Sequence, residues 1–97
     1  MLERDIERRV CEYARFRDLL VYKFTSPARA AVPDRVFILP NGRVFFIEFK
    51  RPGAKPTPAQ AREHERLLKQ NVPVFVIDDV NMGKTLIDGM FNYDSNP

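Results

Sequence analysis

Ninety-seven residues, 44% hydrophobic and 30% charged, suit one folded domain spanning 1–97 and exclude both a second core and a disordered chain. One cysteine, Cys11, excludes an internal disulfide and suits a reducing compartment. No apolar run approaches the ~20 residues of a membrane span, and the start "MLERDIERR" has no signal-peptide core, so a cytoplasmic protein without a membrane partner is expected. Sixteen Lys and Arg against thirteen Asp and Glu leave +3, too mild a balance to argue by itself for a nucleic-acid partner. Its distribution says more, because Lys50, Arg51, Lys55, Arg62, Arg66 and Lys69 crowd one third of the chain.

Residues 2–18 place Leu2, Ile6, Val10, Tyr13 and Ala14 at helical spacing with a charged opposite face, which predicts an amphipathic helix. "LLVYKFT" (19–25) is β-branched and aromatic and reads as a strand; "SPARAAVP" (26–33), bounded by prolines, reads as a loop. Strands at 34–39 and 43–50 then flank "PNG", with Gly42 suited to the left-handed position of a three-residue hairpin loop. Thr57, Pro58 and Gln60 have the chemistry of a helix start, and that helix is predicted to run to about residue 70. "VFVID" (74–78) is a short, nearly all-apolar strand expected to be buried on both faces. A short last helix over "GKTLIDGMF" and a fraying tail "NYDSNP" complete the chain. The order predicts an α/β domain with a mixed sheet of about four strands flanked by helices. Its third and fourth strands should be parallel across a βαβ connection.

The hairpin carries unusual side chains. With the loop at 40–42, Leu39 pairs with Arg43, and the same register puts Asp34 opposite Glu48, with Cβ atoms ~4.5–5.5 Å apart on one face. Two carboxylates so placed repel unless a cation lies between them. Lys50, two residues on, emerges on the same face ~6–7 Å away. Oxygen ligands that leave room for several waters suit Mg²⁺ or Mn²⁺, and such an ion activates water and neutralises charge on a scissile phosphate. The Phe49 backbone carbonyl is available as a further ligand, and the amine of Lys50 can stabilise developing phosphoryl charge. The structural alternative is an ordinary salt-bridge ladder on a surface hairpin.

"VPDRVFILPNGRVFFIEFKRPGAKPTPAQ" (32–60), with the opening helix carrying "LERDIERRV", resembles the VRR-Nuc family of the PD-(D/E)xK nuclease superfamily. The small stand-alone phage and bacterial members are the most similar, and about three quarters of the chain is covered. The resemblance implies a restriction-endonuclease-like core and metal-dependent hydrolysis of DNA, in the host cytoplasm if phage-encoded. It implies Asp34 and Glu48 as metal ligands, Glu3 as a helix acid that reaches the metal directly or through water, Lys50 as the catalytic lysine, and Gln60 as a glutamine beside the active site. Ala31 stands where family members often carry glycine. Stand-alone members of this kind look like homodimers that cut branched DNA such as four-way junctions, and two-fold symmetry suits paired cuts.

Each residue has a structural alternative. Glu3 and Glu7 border the apolar stripe one turn apart and suit a solvated helix N-terminus; the resemblance favours Glu3 and holds Glu7 in reserve. Gln60 also completes a capping box, "TPAQ", and one side chain is not expected to serve both the cap and the site. Arg29, Arg35, Arg51, Lys55 and Arg62 are candidate phosphate contacts, each alternatively a solvated charge. His64, in "REHER", is expected to be exposed and to bind no metal, and Cys11 to be a packing residue. "MGKT" (82–85) is not a nucleotide loop, since that motif needs glycine where Asp78 stands, so no nucleotide cofactor is expected. The competing function is a DNA-binding module that kept the fold without turnover; an RNA-directed nuclease is a third, weaker reading.

Overall fold

The computed structural model describes residues 1–95, with side chains described through Asn92. The elements run α1 (Glu3–Phe16), β1 (Leu20–Lys23), β2 (Arg35–Ile38), β3 (Val44–Phe49), α2 (Pro58–Lys69), β4 (Val74–Ile77) and α3 (Val80–Ser95). The four strands lie in the order β1-β2-β3-β4, the first three antiparallel and β3–β4 parallel. Arg35 pairs with Ile47 and Ile38 with Val44, and the Leu39 N–H donates to the Arg43 carbonyl at 2.9 Å, which is the predicted register. Gly42 closes the loop at φ 91°.

Alternation along the strands sorts their side chains. Phe37, Phe45, Ile47, Phe49 and Ile77 face one side, where Ile6, Val10 and Ala14 of α1 and Val80, Ile87 and Met90 of α3 cover them. Phe37 and Phe45 stack at 5.0 Å. Each such ring, fully buried, contributes on the order of 1.5–3 kcal/mol. α1 and α2 both end in residues that tolerate a left-handed backbone, Asp18 at φ 68° and Asn71 at φ 62°. In each case the next N–H, of Leu19 or Val72, reaches back to a carbonyl of the last helical turn.

The other side of the sheet is only half covered. α2 lies over its β3–β4 end and leaves the rows Leu20–Ile38–Val44 and Tyr22–Val36–Phe46 with little above them. Leu20 and Tyr22 are exposed.

Two expectations need correction. β4 is not buried on both faces: it is an edge strand, and three of its four residues are half-buried. The last helix is not short, and it takes in residues 92–95 of the expected tail. α3 starts earlier because Asp79 Oδ2 accepts from the Met82 N–H at 2.8 Å, and its far end is anchored by buried Met90 and by Arg17 lying 4.4 Å over the Phe91 ring. The rest of the expected fraying tail, residues 96–97, lies outside the described residues.

Candidate active site

The β2–β3 register, continued one step past Arg35–Ile47, sets Asp34 opposite Glu48 at the end of the hairpin. Fully buried Pro33 leads the chain into Asp34, whose carbonyl accepts from the Phe24 N–H at 2.9 Å. Asp34 Oδ2 accepts from the Phe49 N–H at 2.7 Å, so this acid is anchored to the strand that carries its partner. Glu48 lies beneath α2 and is only 2% exposed. The Lys50 N–H donates to the Ile77 carbonyl at 2.9 Å, which fixes this strand end against β4.

The electrostatics report an acid pair short of positive charge. Burial, then repulsion by Asp34 and a hydrogen bond with it, push the Glu48 carboxyl up to about 8, and the Glu3 charge adds to the rise. Lys50 acts in the opposite sense. Glu48 Oε1 is buried and has no hydrogen-bond partner. The burial and mutual repulsion of the two acids are what a bound cation would relieve. Among the described residues no three Asp, Glu, His or Cys side chains close round a common point. Two carboxylates plus a backbone carbonyl and waters suit a small hard ion better than a dedicated cage does.

Gln60 reaches both the cap and Glu48 at once, contrary to expectation. Its Oε1 accepts from the Thr57 N–H at 2.9 Å and its own N–H donates to Thr57 Oγ1 at 3.2 Å, completing the capping box. Its Nε2 donates to Glu48 Oε2 at 3.3 Å. A primary amide carries its acceptor and its donors on opposite sides, so it bridges cap and carboxylate at once.

His64 is likewise not exposed. One turn beyond Gln60 on the same face of α2, it is 8% exposed, with Nε2 3.5 Å from Glu48 Oε1. Burial, then repulsion by Lys50, hold its pKa below the usual imidazole value. The flanking charges of "REHER" suggested a solvated face; the spacing of four residues from Gln60 was the signal pointing the other way.

The remaining candidates divide. Glu3 is exposed at the start of α1, and its charge reaches Glu48. Glu7 is held by Arg35 at 2.7 Å, and Arg35 lies on the α1 side of the sheet, away from Asp34. Arg29 binds Glu63 at 2.7 Å, a buried acid that the sequence did not single out. Arg29 also rims two hollows, one of about 290 Å³ shared with Arg62 and one of about 330 Å³ shared with Lys23 and Asp34. Arg51, Lys55 and Arg62 are exposed. Cys11 is buried, and burial pushes its thiol up to about 11, the opposite of an activated nucleophile.

No family model matches the chain. A protein named "Putative nuclease p44", from Acyrthosiphon pisum secondary endosymbiont phage 1, is 44% identical over 84 residues, covering 87% of this chain and 90% of that protein. A solved structure described as a VRR_NUC domain superposes with a TM-score of 0.83 at 34% identity, covering 89% of this chain and 94% of that one. A second, described as a VRR_NUC domain protein, has the same fold at 18% identity with a TM-score of 0.74, covering 91% and 86%.

Proposed function

The chain belongs to the VRR-Nuc nuclease family, and from that premise we propose that it is a single-domain, Mg²⁺- or Mn²⁺-dependent endonuclease that hydrolyses branched DNA as a homodimer. The observation that carries this reading is the Asp34–Glu48 pair, opposed across the hairpin, with Lys50 beside it. Asp34, Glu48 and the Phe49 carbonyl would hold the ion. A bound ion of this kind supplies Lewis acidity at the scissile phosphate and lowers the pKa of water. Glu3, free of the ion pair that occupies Glu7, is the helix acid that reaches the site through water. Lys50 orients the attacking water and stabilises charge on the phosphate oxygens, and Gln60 holds Glu48 in place.

Arg51, Lys55 and Arg62, with Arg29 at the rim of both hollows, are the backbone contacts that position the strand. Branched rather than sequence-specific substrates suit a chain whose cations surround the site and which presents no obvious recognition helix. The half-covered sheet face around Leu20 and Tyr22 is where a second copy would dock and bring two sites together.

The test is cleavage of linear duplex, single strand, flap and four-way junction with each metal. Glu48→Ala and Lys50→Ala are expected to abolish cutting while junction binding persists. Variants that cut as well as the parent overturn the endonuclease. A parent that binds DNA but never cuts with either metal makes the protein a binding module.

A further inference from the structure

Glu48 is held from one side by two side chains of α2, a turn apart. Gln60 Nε2 donates to Oε2 at 3.3 Å, and His64 Nε2 stands 3.5 Å from Oε1. The Oε1 and Nε2 atoms of that second pair are both buried, and neither has another partner. Two unpaired polar atoms facing each other inside a protein are costly unless they bond, and moving the ring by roughly 0.5 Å brings them to an ordinary hydrogen-bond length. We propose that His64 is a positioning residue: its ring donates Nε2–H to Glu48 Oε1 and, with Gln60, clamps that carboxylate in the orientation that receives the metal. This rests on the nuclease reading above and adds to it a residue that acts through Glu48 rather than on the substrate.

The clamp has a consequence for the fold. Gln60 is fixed by the capping box and His64 by its burial on the inward face of α2, so the start of α2 sets the angle of a ligand that belongs to β3. Side chains that hydrogen-bond a metal ligand in this way orient it and tune its affinity.

The chain has one histidine, so long-range ¹H–¹⁵N spectra of the intact protein report this ring alone. At neutral pH the ring is expected to carry a proton on Nε2, to be shifted by Glu48→Gln, and to be still protonated there at saturating Mg²⁺. In calorimetric titration with Mn²⁺, His64→Leu is expected to weaken binding about 10–100-fold, and His64→Gln, which keeps a donor, to recover most of that loss. On a cleavable junction the loss should appear in kcat at fixed metal and leave KM for DNA unchanged. A proton on Nδ1 alone, or its loss from Nε2 on Mg²⁺ addition, overturns the role. So does a folded His64→Leu protein that binds Mn²⁺ as the parent does while the parent cuts DNA. Should His64→Leu fail to fold, the spectra of the parent and the Mn²⁺ affinity of His64→Gln decide the matter. A parent that takes up no Mn²⁺ and cuts nothing removes the nuclease reading and this role together.

Discussion

A carboxylate buried next to another is expensive unless something compensates, and Glu48 shows the expense as a raised pKa. Its folded value, about 8, lies above the ordinary carboxylate value, so between the two the folded chain holds a proton that the unfolded chain has released. Stability of the metal-free protein therefore falls as pH rises from the ordinary carboxylate range to about 8 and levels off beyond it. Glu48→Gln should remove this contribution and leave the variant more stable than the parent near pH 8 without metal. Thermal melts of both proteins across that range, with and without Mg²⁺, measure it; parallel pH profiles would show that Glu48 is not the strained group. Mg²⁺ should restore the parent and not the variant. At this scale much was legible in the chain. A three-residue loop fixes the register, and the register alone brings Asp34 and Glu48 together. His64 was not, because a charged run hides which face of a helix is inward until a partner such as Gln60 is placed.

Elements carry the next set of constraints. α2 begins where Thr57 and Gln60 exchange hydrogen bonds, and the same Gln60 reaches Glu48. Thr57→Ala should cost about 1 kcal/mol of stability through the lost cap, and should also lower metal affinity, since the freed amide no longer holds one orientation. Denaturant melts and Mn²⁺ titration of one variant separate the effects; an unchanged affinity would confine Thr57 to helix capping. α3 contains two glycines with opposite expectations. A Cβ at Gly83 would meet Val10 Cγ2 at 2.6 Å, where α1 and α3 press together, while one at Gly89 meets nothing within 4 Å. Gly83→Ala should therefore destabilise by about 1–3 kcal/mol through overpacking. Gly89→Ala should stabilise by about 0.5–1 kcal/mol through helix propensity. Chemical denaturation of the pair checks both signs. Gly83 is the residue that lets α3 approach α1 this closely.

The molecule as a whole is lopsided: α1 and α3 bury one side of the sheet, and α2 covers only the site end of the other. The β2–β3 hairpin and the parallel β3–β4 pair were legible, because a tight loop, or a helix between two strands, leaves few alternatives. The bare half of the second side was not, since Leu20, Tyr22 and Val44 alternate with inward residues just as strands covered on both sides would. Leu20 is 54% exposed and Tyr22 53%, in adjacent rows of one face. If a second copy covers them, a charge there should split the dimer without unfolding the chain, because substitutions at exposed positions rarely shift stability by more than about 0.5 kcal/mol. The double variant Leu20→Lys, Tyr22→Glu is expected to sediment as a folded monomer whose melting temperature no longer depends on protein concentration. On a four-way junction it should give separate single nicks in place of paired, symmetrical cuts, because each site would then meet its strand alone. A variant that remains dimeric moves the interface elsewhere on the surface. A parent that sediments as a monomer at micromolar concentration, and stays so on the junction, removes the two-fold arrangement and leaves a nuclease that nicks one strand at a time.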